Sequence, residues 1–195
     1  MNRTPQPAPL QDPGTGTAPR GATLWLTGLP SAGKTTLAAA LSDRLRGEGR
    51  PTDVLDGDEI RAFLSRGLGF SREDRYTNVT RIGFLAQKIA VHGVLVLVPV
   101  IAPYADARAA VRSQHVAAGV PFLEVHVATP LDICSARDVK GLYARQAAGE
   151  INHLTGVDDP YEVPEAPDLR LRTDGRTVAE SVAELHRLLT QKGLA

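Results

Sequence analysis

At 195 residues the chain is long enough for one domain with a substantial hydrophobic core and a tail. Its 22 basic and 22 acidic side chains cancel, which argues against a general binder of nucleic acid or membrane surface, since either needs a basic excess. A small anionic ligand held by a few local arginines stays compatible with that balance. Cys134 is the single cysteine, so no intramolecular disulfide can form; this fits a reducing, cytoplasmic location, with Cys134 itself a small buried residue on a helix.

Residues 1–20 carry five of the 14 prolines and little apolar bulk, the composition of a disordered tail. They contain no apolar run of the kind a secretory signal needs. The domain is expected over 21–195. Ala22 to Thr27 is a short apolar run suited to a buried strand, and Thr36 to Leu45 has helix formers at helical spacing. Between them Gly28 to Thr35 reads GLPSAGKT, the phosphate-binding pattern G-x-x-x-x-G-K-[ST]. A strand, a Gly-bearing loop and a helix in that order collect backbone N–H groups and a helix N-terminus around one point, which suits a phosphate. Lys34 supplies a point charge for the β- and γ-phosphates, and the Thr35 hydroxyl a ligand for Mg²⁺.

Gly47 to Pro51 is a turn signal, and Thr52 to Leu55 a second strand. It runs into Asp56-Gly57-Asp58, with a helical turn over Glu59 to Leu64. If extended, Asp56 and Asp58 point to one side at the carboxyl end of a strand, where open α/β sheets place ligands. One could orient or deprotonate a hydroxyl while the other helps hold Mg²⁺; the same two residues also suit a turn and a helix cap. Ser71 is expected to cap a helix running to about Val91, with Ile82, Leu85, Ala86 and Ile89 as its apolar stripe. Arg75, Asn78 and Arg81 share a face of that helix, suited either to an anion or to solvent. Val94 to Ile101 reads as a strand buried on both faces, and it ends without the acid that often binds Mg²⁺ there, which shifts weight onto Asp56 and Asp58.

A helix follows over Asp106 to Ala118 and a strand over Pro121 to Val127. Thr129 and Pro130 are expected as N-cap and first position of a helix over Leu131 to Ala136. The polar stretch 137–160 is a candidate lid, in which Arg137 and Lys140 could fold over the transferred phosphoryl; a solvated insert is the alternative. Leu169 to Leu171 suggests a fifth strand, and Thr177 with Glu180 a capping box for a last helix to about Thr190. His92, His115, His126, His153 and His186 show no metal-ligand spacing and are read as structural. The elements together describe an α/β, three-layer phosphate-loop NTPase-type fold: a five-stranded, mainly parallel sheet with helices on both faces and a lid. The lid favours a small-molecule kinase over a nucleotide switch, and no Asn-Lys-x-Asp string is present to read guanine.

From about Gly21 to Leu189 the chain resembles the adenylylsulfate (APS) kinases. The resemblance rests on GLPSAGKTT, LDGDEIR, LGFSREDR with Asn78, IAPYADAR, RDVKGLY and LTGVDDPYE. It implies transfer of the ATP γ-phosphoryl to the ribose 3′-hydroxyl of adenylylsulfate, giving 3′-phosphoadenylylsulfate. Carried over by position, Gly28, Leu29, Pro30, Ser31, Ala32, Gly33, Lys34, Thr35 and Thr36 would hold ATP, with Arg137 beside it and Mg²⁺ on Thr35. Asp58 would face the 3′-hydroxyl, with Lys34 and Lys140 near the phosphates as further catalytic groups. Asp56, Arg61, Arg75, Asn78, Arg81, Ile101 and Ala102 would border the substrate, with Phe70 stacked on its adenine and Leu154 opposite. A homodimer is implied as well, and a sulfurylase is the further partner suggested. Three positions depart from the family. Ala102 stands where many members have Ser, so transfer should pass directly from ATP to the hydroxyl. Thr80 replaces a frequent Arg, and Leu154 a frequent Phe. Two alternatives share the fold: a kinase for another nucleotide-like hydroxyl compound, and a nucleotide-binding module without turnover.

Overall fold

The structure, a computed structural model, describes residues 20–195 apart from the side chains of Asp58, Arg61 and Ala62. The Pro-rich stretch 1–19 lies outside the described residues. Five strands pair in the order β2-β3-β1-β4-β5, and every pair is parallel. They are β1 (Ala22–Thr27), β2 (Thr52–Val54), β3 (Leu95–Pro99), β4 (Phe122–Val127) and β5 (Leu169–Leu171). The central three strands are buried along their whole length, as parallel strands with helices on both faces must be. Pro99, which has no N–H to give a ladder, falls on the last residue of β3.

Period-two alternation sorts the strand side chains into two cores. Leu24, Leu26, Leu95, Leu97, Leu123 and Val125 point to one face. There they pack with Leu37, Leu41 and Leu45 of α1 (Lys34–Gly47) and with Leu185 and Leu189 of α7 (Val178–Gln191). Trp25, Val96, Val98 and Phe122 point to the other, against Ile82 and Ala86 of α3 (Arg72–Ala90) and Val111 of α4 (Ala105–Ala117). Among the described residues three further helices occur: α2 (Gly57–Phe63), α5 (Leu131–Arg137) and α6 (Leu142–Ala147).

The expected caps of α3 and α7 form. Ser71 Oγ accepts from the Asp74 amide, and Thr177 and Glu180 close a reciprocal capping box. Cys134 is fully buried on α5, as its composition suggested. Two expectations need correction. Asp56 and Asp58 do not sit on an extended segment, because α2 already begins at Gly57. At a helical 100° per residue, positions two apart no longer share a side. The helix α5 is capped by Pro130 itself. Thr129 instead donates its hydroxyl to the Ala32 carbonyl at 3.0 Å, tying the start of α5 to the phosphate-binding loop. The stretch 137–160 is also partly helical, since it contains α6.

Candidate active site

The loop from Gly28 to Gly33 leaves the carboxyl end of β1, the middle strand of the sheet. Gly28 cannot carry a side chain there: a Cβ would lie 2.5 Å from the Val127 carbonyl oxygen on neighbouring β4. Ser31 and Gly33 both take positive φ, at 59° and 102°, which coils the loop into the start of α1. The first amides of a helix have no intrahelical acceptor, so Lys34, Thr35 and Thr36 direct N–H groups and the positive dipole end into the loop.

Lys34 is buried, and its Nζ donates to the loop's own carbonyls, Gly28 O at 3.0 Å and Leu29 O at 2.7 Å. These bonds fold the ammonium back onto the loop. Thr35 Oγ1 donates to Asp56 Oδ2 at 2.8 Å, so the acid after β2 meets the hydroxyl at the head of α1. Gly57 follows, tight against the end of β3: a Cβ would be 3.2 Å from Val100 Cγ1. The backbone of Asp58 therefore lies in the first turn of α2 at the carboxyl edge of the sheet, beside the loop-facing Asp56. The side chains of Asp58 and Arg61 are outside the described residues.

The loop is braced from behind. Thr129 and Thr173 both donate to the Ala32 carbonyl, at 3.0 and 3.2 Å. Arg137 donates to Thr173 Oγ1 at 2.8 Å and to its carbonyl at 3.1 Å. Tyr143 of α6 donates its hydroxyl to the Pro30 carbonyl at 3.1 Å, and burial pushes that phenol well above its ordinary pKa, so it stays protonated as a donor. Arg137 and the segment after it are thus docked onto the loop.

On the acceptor side the three polar residues of α3 diverge. Arg75 is buried and donates to Phe70 O, Thr155 Oγ1, His153 O and Asp159 Oδ2. Asn78 Oδ1 accepts from Ser65 Oγ, and Arg81 donates to the Leu64 carbonyl at 2.8 Å. The face is therefore graded, with Arg75 buried, Asn78 half-buried and Arg81 exposed. Phe70 is 53% exposed, with the Arg75 guanidinium 5.6 Å from its ring centre. Ile101 O accepts from Thr27 Oγ1, and Ala102 takes a left-handed φ of 43° while buried and held through its carbonyl by Arg108. Leu154, expected opposite Phe70, is buried in the core against which Leu29 packs. Lys140 lies in the turn before α6 and is exposed.

Several supports of this site have no local signature. Arg108 Nε lies 2.8 Å from Glu124 Oε1 in a buried pair joining α4 to β4. Tyr161 Oη and Thr27 Oγ1 are 3.0 Å apart, fastening the chain after 160 to the end of β1. His126 stacks beside Tyr161, and burial, aided by Arg170 and Arg108, depresses its pKa from 6.5 to about 4. The unfolded chain protonates that ring near 6.5 and the folded one only near about 4, so its contribution to stability is constant above that window and falls as pH drops through it. Urea unfolding between neutral and mildly acidic pH should show this loss, and His126→Gln, which cannot titrate, should flatten that part of the slope. The remaining histidines do not form a metal centre, and no group of three or more metal-ligating side chains occurs among the described residues.

A parallel sheet with a phosphate loop after its middle strand, a Thr–Asp pair at the loop and a docked segment on top defines a phosphate-loop kinase. The chain belongs to the adenylylsulphate kinase family, whose model matches residues 20–172. It is 52% identical to the adenylyl-sulfate kinase of Myxococcus xanthus over 174 residues, covering 89% of this chain and 94% of that one. It superposes with a TM-score of 0.85 on the Mycobacterium tuberculosis APS kinase in complex with AMPPNP and APS, at 47% identity over 88% of this chain and 99% of that one. A hexameric APS kinase from Thiobacillus denitrificans matches with a TM-score of 0.69 and 35% identity, over 91% of this chain and 30% of that one. Among the described residues no helix is long and apolar enough to cross a membrane.

Proposed function

We infer that this chain is an adenylylsulfate kinase: it transfers the γ-phosphoryl of ATP to the 3′-hydroxyl of adenylylsulfate. The observation that carries the reading is the Thr35–Asp56 bond at 2.8 Å, which joins a phosphate loop to the acid-bearing segment Asp56-Gly57-Asp58. The relative solved with AMPPNP and APS supports the identity of both substrates. In the reaction the 3′ oxygen forms a bond to the γ-phosphorus as the bond to the β-bridging oxygen breaks. The hydroxyl proton passes to Asp58, and ADP leaves. Lys34 and the loop amides stabilise the charge on the transferred group. Ala102 offers no nucleophile, so no enzyme-bound phosphoryl forms there.

Mg²⁺ fits the site. A hydroxyl and a carboxylate at hydrogen-bond distance form the sparse oxygen set that this ion takes when phosphates and waters complete its shell. When bound it would offset the charge of the phosphates, and Thr35 and Asp56 are the residues that would hold it. Asp56→Asn should raise the Mg²⁺ concentration for half-maximal rate by about tenfold to a hundredfold. Magnesium titrations of initial rate would show it, and an unchanged requirement would remove Asp56 from this role.

Phe70, Asn78, Arg81, Arg61, Ile101 and Ala102 border the proposed acceptor pocket, and Arg137 and Lys140 flank the nucleotide. Cytoplasmic location, a homodimer and a sulfurylase partner complete the proposal; sedimentation of the pure chain tests the dimer. A panel of nucleotide-like acceptors in a coupled ADP-release assay tests the function. Turnover with adenylylsulfate at low concentration supports it, and turnover only with another acceptor overturns it.

A further inference from the structure

We propose that Arg108 is a positioning residue for the acceptor: with Tyr161 and Glu162 it clamps the connection between β3 and α4 and forces Ala102 into the left-handed backbone that shapes one wall of the acceptor pocket. The inference deepens the kinase reading above and rests on it. Left to local preference the chain would not take this form. Ala102 has a Cβ, which crowds a left-handed backbone, and it precedes Pro103, which biases it toward an extended one. Yet it holds a φ of 43° while only 2% exposed. A non-glycine residue persists in that region only where its surroundings over-determine it.

Here the surroundings act through three consecutive carbonyls, each taken by a different part of the chain. Ile101 O accepts from Thr27 Oγ1 at the end of β1. Ala102 O accepts from Arg108 Nη1 at 2.7 Å, and Pro103 O from the Glu162 amide at 2.8 Å. Glu162 O accepts from Arg108 Nη2 at 2.7 Å, and Glu162 Oε2 accepts from the Ala105 amide at 2.6 Å. Because the Thr27 hydroxyl gives its proton to Ile101 O, Tyr161 is the donor in the 3.0 Å bond between the two hydroxyls. Burial pushes the pKa of that phenol up to about 12, so it keeps its proton at neutral pH. Arg108 is the hub of the clamp. It is buried, with one arm of its fork on Ala102, the other on Glu162, and Nε 2.8 Å from Glu124 Oε1. A lysine ammonium cannot reproduce that planar spread.

The clamp sits at the reacting edge of the sheet. Val100 donates its amide to Leu26 O of β1, and a Cβ on Gly57 would be 3.2 Å from Val100 Cγ1. Gly57 separates Asp56 from Asp58, and Thr27 is followed directly by Gly28 of the phosphate loop. The connection after β3 is therefore next to both the loop and the acid-bearing segment, where an acceptor hydroxyl must lie to meet the two. Relaxing Ala102 to an extended backbone would redirect Ile101 and Ala102 at that edge. The phosphate loop would keep its own braces, from Thr129, Thr173 and Tyr143. Loss of the clamp should thus fall on the acceptor rather than on the nucleotide.

Arg108→Lys should raise the KM for adenylylsulfate by about 10- to 100-fold, the scale of a misplaced positioning group, and leave AMPPNP affinity with Mg²⁺ within about twofold. Tyr161→Phe removes one donor and should act in the same direction by about 2- to 10-fold, which covers the case in which Arg108→Lys fails to fold. Glycine at position 102 supplies the distinguishing readout. It enters the left-handed region without the Cβ penalty, so adding Ala102→Gly should shrink the KM penalty of Arg108→Lys by about fivefold or more. The same addition should bring Tyr161→Phe close to Ala102→Gly alone. Urea unfolding of the full chain reads the coupling without turnover. Ala102→Gly should shift the midpoint more favourably in the wild-type chain, where the left-handed backbone is enforced, than in Arg108→Lys, where alanine has relaxed; the effect of glycine on the unfolded chain is common to both and cancels. A KM penalty for Arg108→Lys that is equal with alanine and glycine at 102, or AMPPNP affinity that falls as far as adenylylsulfate KM rises, would overturn the proposal and make Arg108 only a packing link between α4 and β4. Lack of turnover by the wild-type chain with adenylylsulfate would instead count against the kinase reading, and the urea comparison would still decide the clamp.

Discussion

Lys34→Ala should lower kcat by about a thousandfold or more, the scale lost when a donor to a developing anionic charge is removed from a dry site. The lysine is buried and donates to two carbonyls of its own loop, so its ammonium is already placed before the nucleotide arrives. A pre-placed charge needs no reorganisation in the transition state, which is why its loss falls on kcat more than on KM. The alanine would also leave the Gly28 and Leu29 carbonyls short of a donor, at a cost of about 1 kcal/mol in stability. Lys34→Arg should not restore the rate, because a planar fork cannot occupy a point-charge position between two carbonyls spaced for an ammonium. Steady-state kinetics with a folded control by circular dichroism would check both variants. A kcat within tenfold of wild type for Lys34→Ala would remove the lysine from its assigned role.

Asp58→Asn should lower turnover by about 10²- to 10⁴-fold, the usual worth of a positioned general base. AMPPNP affinity should stay within about twofold, since the loop amides, Lys34 and Thr35 are unaltered. The amide keeps the size and removes only the capacity to accept the hydroxyl proton. The neighbouring Asp56 cannot substitute, because it is committed to Thr35 and lies before the helix rather than within its first turn. Paired calorimetry and single-turnover rates separate the two effects. An unaffected rate would take Asp58 out of the chemistry, and a loss of nucleotide affinity equal to the loss of rate would make it a nucleotide ligand instead.

The parts of the molecule legible in the sequence are those written locally. Ala22–Thr27 and Leu169–Leu171 fall where the apolar runs put them, and the Thr177–Glu180 box forms as spaced. The loop GLPSAGKT needed only its flanking strand and helix to be understood. The misses come where one residue can do two jobs. Asp56-Gly57-Asp58 follows a strand and precedes a helix, and its spacing alone did not say that the helix begins at Gly57. Thr129 has the chemistry of a cap, yet its hydroxyl is drawn to the Ala32 carbonyl, 97 positions away in the chain. Arg75 shows the same limit. Its periodicity groups it with Asn78 and Arg81 on one face of α3 without saying that it is buried, and its partners Thr155 and Asp159 lie 80 and 84 positions downstream. Such pairings are set by how the layers close, and helical or strand periodicity carries no record of them. The family strings RDVKGLY and LTGVDDPYE flagged the segment without saying what it presses against, which the Leu29–Gly156 approach shows.

The most direct test of the account is a single turnover with γ-labelled ATP, Mg²⁺ and adenylylsulfate, with the enzyme in excess and all products resolved. Direct transfer across the loop predicts that label leaves ATP and appears only on the 3′ oxygen of 3′-phosphoadenylylsulfate, with none on the protein at any time. Label retained on the polypeptide before product forms, or label that never reaches adenylylsulfate, would contradict it.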